Sequence, residues 1–394
     1  MYEEINRYVH QLIEQSSTVQ TAWNVEKLRN GIPASWNYID GCMMTALLSL
    51  SEITGDQSFA EFTEHFIDAF VNEDGSIRTY EPEKHTLDDI NEGRVLFPLY
   101  RKTGKEKYRL AADLLYRALQ DHPRTPEGNF WHKTIYPNQV WLDGVYMAMP
   151  FLALYEREIG KPVSSDLAAQ LRIIRQRMRD PKTGLYYHGY DASRKAFWAD
   201  PETGCSASFW LRAIGWFSVA LADLAEILPE GEAARLVREI LSDLMQSMLP
   251  FSDPETGMYY QVVDQGGRPG NYLETSGSSM IGYAMLKGAR LGVLPAEFAK
   301  QGQKTFEGIY RTCLTFTDGQ MNMENICLVA GLGPEKDRRR DVPDRFRCPR
   351  HEDGGRRIRR GQARNVQAPA GLGRSSRGEP RREEFFRENT PVTG

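Results

Sequence analysis

The chain has 394 residues, 41% of them hydrophobic and 26% charged, which is enough apolar material for two or three ordinary domains or one large helical toroid. No apolar run approaches the roughly 20 residues that a bilayer span requires, so a membrane-spanning protein is excluded. The net charge of -4 conceals a split: residues 338–394 carry 16 arginines, no lysine and 8 acids, so that segment stands at +8 and the remainder at -12.

The opening Met1-Tyr2-Glu3-Glu4-Ile5-Asn6-Arg7 is acidic and amphipathic, where a secretory signal is basic and then continuously apolar. Cys42, Cys205, Cys313, Cys327 and Cys348 are scattered and never spaced as Cys-x-x-Cys, which argues against a disulfide framework or a structural zinc site. A cytoplasmic protein is expected. From Gly41 onward a helical apolar pattern, a short glycine-containing turn and a second helical pattern recur five times. The units run from Gly41 through Gly55 to Phe70, Glu92 through Gly104 to Leu119, Gly144 through Gly160 to Met178, Trp210 through Gly231 to Met248, and Ser276 through Gly292 to Tyr310. The first helix of each unit is apolar nearly all round, as in Val145-Tyr146-Met147-Ala148-Met149, and belongs inside. The second is amphipathic, as in Tyr108-Arg109-Leu110-Ala111-Ala112-Asp113-Leu114-Leu115, and belongs outside. The pattern predicts an all-α protein in which residues 1–337 form an α/α barrel, with every inner helix starting at the same end.

The loops that converge on that end are rich in aromatic rings and acids: Trp36-Asn37-Tyr38-Ile39-Asp40, His85-Thr86-Leu87-Asp88-Asp89, Trp131-His132-Lys133 and Trp141-Leu142-Asp143. Flat rings cover the apolar C–H face of a pyranose while acids handle its hydroxyls, so carbohydrate chemistry is expected at this mouth. The related loops Asp180-Pro181-Lys182-Thr183-Gly184-Leu185-Tyr186-Tyr187 and Asp253-Pro254-Glu255-Thr256-Gly257-Met258-Tyr259-Tyr260 read as turns followed by short rim strands. Asp143 and Asp88 each begin an inner helix, where the bland role is a helix cap. With Trp141 before it, Gly144 behind it admitting a ligand and an apolar helix beyond, Asp143 is expected to have a raised pKa and to donate a proton. Asp88 is expected to face the same small ligand. His188 follows a rim loop, and Arg212 sits in an otherwise apolar helix start between Trp210 and Trp216, where an anionic ligand or an internal acid must pair it. Several helix N-termini aimed at one cavity favour an anionic sugar such as a uronic acid. No metal, nucleotide or phosphate-binding motif is present, so no cofactor is expected.

Residues 338–394 hold too few large aliphatics for a core and are expected to be poorly ordered or loosely attached. A nucleic-acid tail fits their charge but not their acids or their lack of Trp and Tyr. A third reading is a shifted reading frame, since the composition changes abruptly near Asp341 and lysine vanishes.

Phe130-Trp131-His132-Lys133, Tyr136-Pro137-Asn138-Gln139-Val140-Trp141-Leu142-Asp143-Gly144-Val145-Tyr146-Met147, Glu202-Thr203-Gly204-Cys205-Ser206 with Phe209-Trp210 and Ile214-Gly215-Trp216, and Asn271-Tyr272-Leu273-Glu274-Thr275-Ser276-Gly277-Ser278 together resemble glycoside hydrolase family 105, the unsaturated rhamnogalacturonyl hydrolases. The resemblance implies an (α/α)6 barrel that removes an unsaturated galacturonyl residue from the non-reducing end of a short pectin-derived oligosaccharide by hydrating the C4=C5 bond. It implies no partner in nucleic acid or membrane and leaves the oligomeric state open. Asp143 matches the family's general acid and base, and Asp88 its second site aspartate. Tyr38, Trp141, His188, Trp210, Arg212 and Trp216 match positions lining the sugar pocket, to which the mouth loops add Asp40, His132 and Lys133. Nothing after Arg340 resembles the family's final helix, so the last hairpin is expected to be incomplete. The alternatives are a family 88-like unsaturated glucuronyl hydrolase acting on glycosaminoglycan disaccharides, and a barrel that binds oligosaccharide without turning it over.

Overall fold

The computed structural model describes residues 1–317, 319–327 and 331–332. The helices in chain order are α1 (Tyr2–Glu14), α2 (Val25–Asn30), α3 (Tyr38–Thr54), α4 (Gln57–Asp68), a 3-10 segment Leu87–Val95 running into α5 (Leu96–Thr103), and α6 (Glu106–Gln120). They continue with α7 (Leu142–Ile159), α8 (Ser164–Met178), α9 (Leu211–Ile227), α10 (Glu232–Met248), α11 (Thr275–Arg290) and α12 (Glu297–Cys313). Two small antiparallel ladders join them: β1 (Gln139–Trp141) with β2 (Gly189–Asp191), and β3 (Leu314–Thr317) with β4 (Gln320–Met323).

The apolar helices form an inner ring in the order α3, the 3-10 segment with α5, α7, α9 and α11, each packed on the next. α7 and α9 are buried around nearly their whole circumference, as their uniformly apolar sequences require. The amphipathic helices α4, α6, α8, α10 and α12 lie outside, burying one face of mainly apolar side chains. α1 completes this outer ring between α4 and α12: His10 stacks on Phe59 at 4.7 Å, the Gln11 side chain bonds both the N–H and the C=O of Met321, and the Tyr310 hydroxyl donates to Glu4. The fold is an (α/α)6 barrel. Among the described residues it has six outer helices and five inner ones. The expected incompleteness of the last hairpin concerns residues beyond 332, which, with the 338–394 segment, lie outside the described residues. α11 leaves Tyr283 and Leu286 exposed, unlike the corresponding faces of α7 and α9.

Local chemistry sets the helix boundaries. Asn37 caps α3 by accepting from the N–H groups of Ile39 and Asp40, and Asp56 caps α4 through Ser58 N–H. Gly55, Gly104 and Gly160 end three inner helices in the left-handed conformation. Gly231 does not act this way: its φ of 167° is extended, it precedes α10, and α9 ends in the extended Leu228 before Pro229. At Gly41, α3 and the 3-10 segment meet backbone to backbone, and a Cβ there would lie 2.6 Å from Glu92 Cα. The paired tyrosines are not rim strands. Tyr186 makes an isolated bridge to Arg179 and Tyr260 one to Leu273, while Tyr186 and Tyr259 are wholly buried as core side chains.

Candidate active site

The β1–β2 ladder assembles the mouth of the barrel. Trp141 pairs with Gly189, and Leu142 N–H donates to His188 C=O at 3.0 Å, so the first turn of α7 lies beside the residue preceding β2. His188 Nε2 thereby comes within 3.0 Å of Asp143 Oδ2, with the imidazole fully buried. Asp143 is not a helix cap, since Trp141 occupies the cap position of α7 and no side chain caps that helix. The same holds for Asp88, because Thr86 precedes the 3-10 segment as an uncapped N-terminus. Both carboxylates are therefore available for chemistry.

The expected rise in the Asp143 pKa is corrected by its neighbours. Burial pushes the carboxyl upward, but the His188 and His132 rings outweigh it and hold Asp143 below the ordinary aspartate value. The resting side chain is thus a carboxylate, and its charge stabilises the fold above the ordinary carboxyl range. That contribution fades as the pH falls through the lowered pKa. Replacing His188 with Asn removes the strongest lowering influence and leaves desolvation in place. The Asp143 pKa is expected to rise in this variant, and carboxyl-carbon NMR titration of both proteins checks it; an unchanged titration would show that His188 does not set the charge state.

Asp88 has a different environment. Lys133 Nζ lies 2.5 Å from its Oδ2, and His132 Nε2 is 3.6 Å from its Oδ1. Burial alone would lower Lys133, but the Asp88 charge raises it, so the ammonium stays charged. Burial drives His132 down to about 4 and keeps it neutral near pH 7, while it senses Asp88, Asp143 and His188 at once. Its ring stacks on Trp141 at 4.5 Å, and Tyr136 stacks on the same indole at 4.9 Å. Gly144 serves this packing and not a ligand, because a Cβ there would meet Leu87 Cδ1 at 2.9 Å and His132 Nδ1 at 3.2 Å.

Across the mouth, Arg212 in the first turn of α9 is held on two sides. Its Nε donates to Ser276 Oγ at 2.6 Å, its Nη2 donates to the Cys327 carbonyl, and Glu274 Oε1 lies 3.7 Å from Nη2. Glu274 is wholly buried and caps α11, accepting from the N–H groups of Ser276 and Gly277 and also from Cys327 N–H. Trp216 stacks on Tyr146 at 4.9 Å and meets Tyr38 edge-on at 6.1 Å. Burial, Asp88 and Asp143 all raise the Tyr38 hydroxyl pKa while Arg212 opposes them.

Tyr38, Asp88, His132, Lys133, Trp141, Asp143, His188, Arg212 and Trp216 therefore gather at one mouth. Trp210 begins α9 there, and its ring, like that of Trp216, is part of the main core. Asp40 is not part of the cluster. Its oxygens accept from Trp23 Nε1 at 2.7 Å, Asn37 Nδ2 at 2.6 Å and Thr21 Oγ1 at 3.3 Å, so it anchors the N-terminal segment, with burial raising its pKa. Sequence reasoning passed over Glu274, Ser276, Tyr136 and Tyr146; the available signal for the first was the need for a buried acid opposite Arg212. Among the described residues no group of three or more His, Cys, Asp or Glu is placed to hold a metal ion, and no helix is long and apolar enough to cross a membrane.

Residues 8–345 match the family model described as Glycosyl Hydrolase Family 88. A solved Clostridium acetobutylicum (C. acetobutylicum ATCC 824) glycoside hydrolase from family 105 is 39% identical, superposes with a TM-score of 0.77, and is matched over 83% of this chain and 92% of its own. Protein Atu3128 of Agrobacterium fabrum is 36% identical over 206 residues, 51% of this chain and 88% of that protein. The unsaturated rhamnogalacturonyl hydrolase YesR of Bacillus subtilis is 24% identical over 283 residues, 70% of this chain and 75% of its own length.

Proposed function

The chain belongs to the glycosyl hydrolase family 88 group in its family 105 form, and on that premise we propose that it removes the 4,5-unsaturated galacturonyl residue from the non-reducing end of rhamnogalacturonan fragments. The observation that carries this reading is the Asp143–His188 pair sharing one mouth with Arg212, Tyr38 and the Trp141 and Trp216 rings. The name of the YesR relative supports the pectin-derived substrate. Cys42, Cys205 and Cys313 are free thiols, which fits a cytoplasmic site of action on imported disaccharides or short oligosaccharides.

In the proposed reaction, the Arg212 guanidinium receives the uronate carboxylate, and the packed aromatic side chains at the mouth wall the sugar in. Entry of an anion and exclusion of water both raise the Asp143 pKa, which supplies the acid form that the empty site lacks. Asp143 gives its proton to C4, the ring oxygen delocalises the positive charge arising at C5, and water adds at C5 as its proton passes back to the Asp143 carboxylate. The resulting hemiketal opens, and the bond from C1 to the leaving sugar breaks. Asp88, fixed by Lys133, orients hydroxyls and adds negative potential near the cationic centre.

The test is the decay of the alkene's ultraviolet absorbance with a pair of unsaturated disaccharides, galacturonyl-rhamnose and glucuronyl-N-acetylhexosamine. Faster decay of the first by about tenfold or more in kcat/KM is expected, a ratio that pocket contacts commonly supply. Preference for the second would assign the chain to the glucuronyl side of the group, and binding without decay of either would leave a sugar-binding barrel.

A further inference from the structure

The 3-10 segment, α7 and α9 enter the barrel by one repeated construction. In each, the residue before the element makes an antiparallel bridge to a rim residue: Thr86 to Lys133, Trp141 to Gly189 and Trp210 to Val262. The next N–H donates to the carbonyl one residue earlier on the rim, Leu87 to His132 at 3.1 Å, Leu142 to His188 at 3.0 Å and Leu211 to Gln261 at 2.9 Å. The sequence repeats with the geometry, since the loop from Asp180 to Tyr187 leads into His188 and the similar loop from Asp253 to Tyr260 leads into Gln261. Side chains alternate along an extended segment, so an identical register sends residues 132, 188 and 261 to the same side.

In the first two sectors, that side is the charged residue in the first turn of the inner element. His132 Nε2 lies 3.6 Å from Asp88 Oδ1, and His188 Nε2 lies 3.0 Å from Asp143 Oδ2. The third sector has Arg212 at the corresponding position, directly after Leu211. A second contact agrees, because Gln261 N–H donates to Tyr272 C=O at 2.9 Å and the Tyr272 hydroxyl is within electrostatic reach of Arg212. Gln261 is thus bracketed by the residue preceding Arg212 and by one that senses its charge.

Gln261 is 1% exposed, yet neither its Oε1 nor its Nε2 has a hydrogen-bond partner among the described residues. Buried polar groups are nearly always paired, and leucine would fill the same space without the cost of an unbonded amide. The residue type also fits its neighbour. Imidazoles stand beside the two aspartates, whereas an acid beside Arg212 would occupy the guanidinium and repel an anionic ligand. A neutral amide leaves the charge free and can both donate and accept.

We propose that Gln261 is a substrate-binding residue that shares the uronate carboxylate with Arg212, its Nε2–H donating to a carboxylate oxygen and its Oε1 accepting from a hydroxyl of the same sugar. This rests on the unsaturated-uronide reading of the site and adds a residue that recognises the acidic ring.

The experiment compares wild type, Gln261→Leu and Gln261→Glu on an unsaturated uronyl disaccharide and on its neutral, carboxyl-reduced counterpart. Affinities are measured calorimetrically in an Asp143→Asn background, and melting temperatures are recorded. Gln261→Leu is expected to lower affinity and kcat/KM for the anionic sugar by about tenfold, mainly in KM, the scale of one hydrogen bond to a charged group. The loss on the neutral sugar stays within about threefold, and the melting temperature holds or rises because an unpaired buried amide is gone. Gln261→Glu keeps the shape and is expected to cost more than leucine on the anionic sugar, since its carboxylate pairs with Arg212; it decides the matter alone should the leucine variant not fold. Affinities within about twofold of wild type would show that the amide serves only solvent, and equal losses on both sugars with a lower melting temperature would make it a structural residue. Either result overturns the proposal. Failure of the wild type to turn over either disaccharide sinks the hydrolase reading, while the calorimetric affinities still decide Gln261.

Discussion

Replacing Asp143 with Asn is expected to lower kcat by about three to four orders of magnitude while KM stays within a few-fold, the scale that a positioned general acid commands. The substitution preserves shape and the approach to His188, and it removes only the ability to hand a proton to carbon. Substrate still binds, because the rings and Arg212 are untouched. Alkene absorbance followed under single-turnover conditions separates the chemical step from product release. Turnover above a tenth of wild type would require another proton donor, and the mechanism built on Asp143 would fall.

The second large effect is expected at Arg212. Arg212→Met should reduce kcat/KM by roughly a hundredfold, chiefly through KM, since a buried charge-assisted pair with a carboxylate is worth about 2–5 kcal/mol when one partner is truncated. Arg212→Lys should recover only part of this, because an ammonium cannot support Ser276, the Cys327 carbonyl and a bidentate carboxylate together. Stability should fall as well. Glu274 is wholly buried and loses its nearby cation, although the α11 amides and Cys327 N–H remain to offset part of its charge. Kinetics on a neutral, carboxyl-reduced substrate together with denaturant unfolding resolve the two effects. If the neutral and anionic substrates suffer alike, Arg212 acts only as scaffold.

Much of the barrel was legible because its signals are local. Gly55, Gly104 and Gly160 end their helices in the left-handed conformation, and uniformly apolar stretches such as 145–152 can only be inner helices. The placement of Asp143 at a helix start could be read for the same reason. Its charge state could not, because the decisive neighbour His188 arrives through a ladder of three residues per strand, too short to leave a periodic signature. Asp40 looked like a mouth residue by its position in an aromatic loop, yet Trp23, far upstream in an unremarkable segment, takes its carboxylate. The paired tyrosines carried strand propensity, but burial of Tyr186 and Tyr259 in the core overrode it. Gly231 had the right residue type and the wrong dihedral, since Pro229 had already ended the helix.

The grip on Arg212 is knitted from two distant stretches of chain, the later of them at Cys327. A ribosome must therefore translate beyond that point before the cradle for an acidic sugar can lock, however early the first four hairpins have collapsed. A nascent or proteolytically trimmed product ending shortly before it would retain a largely helical spectrum yet bind acidic sugars poorly, so circular dichroism is a misleading assay of whether this molecule is finished.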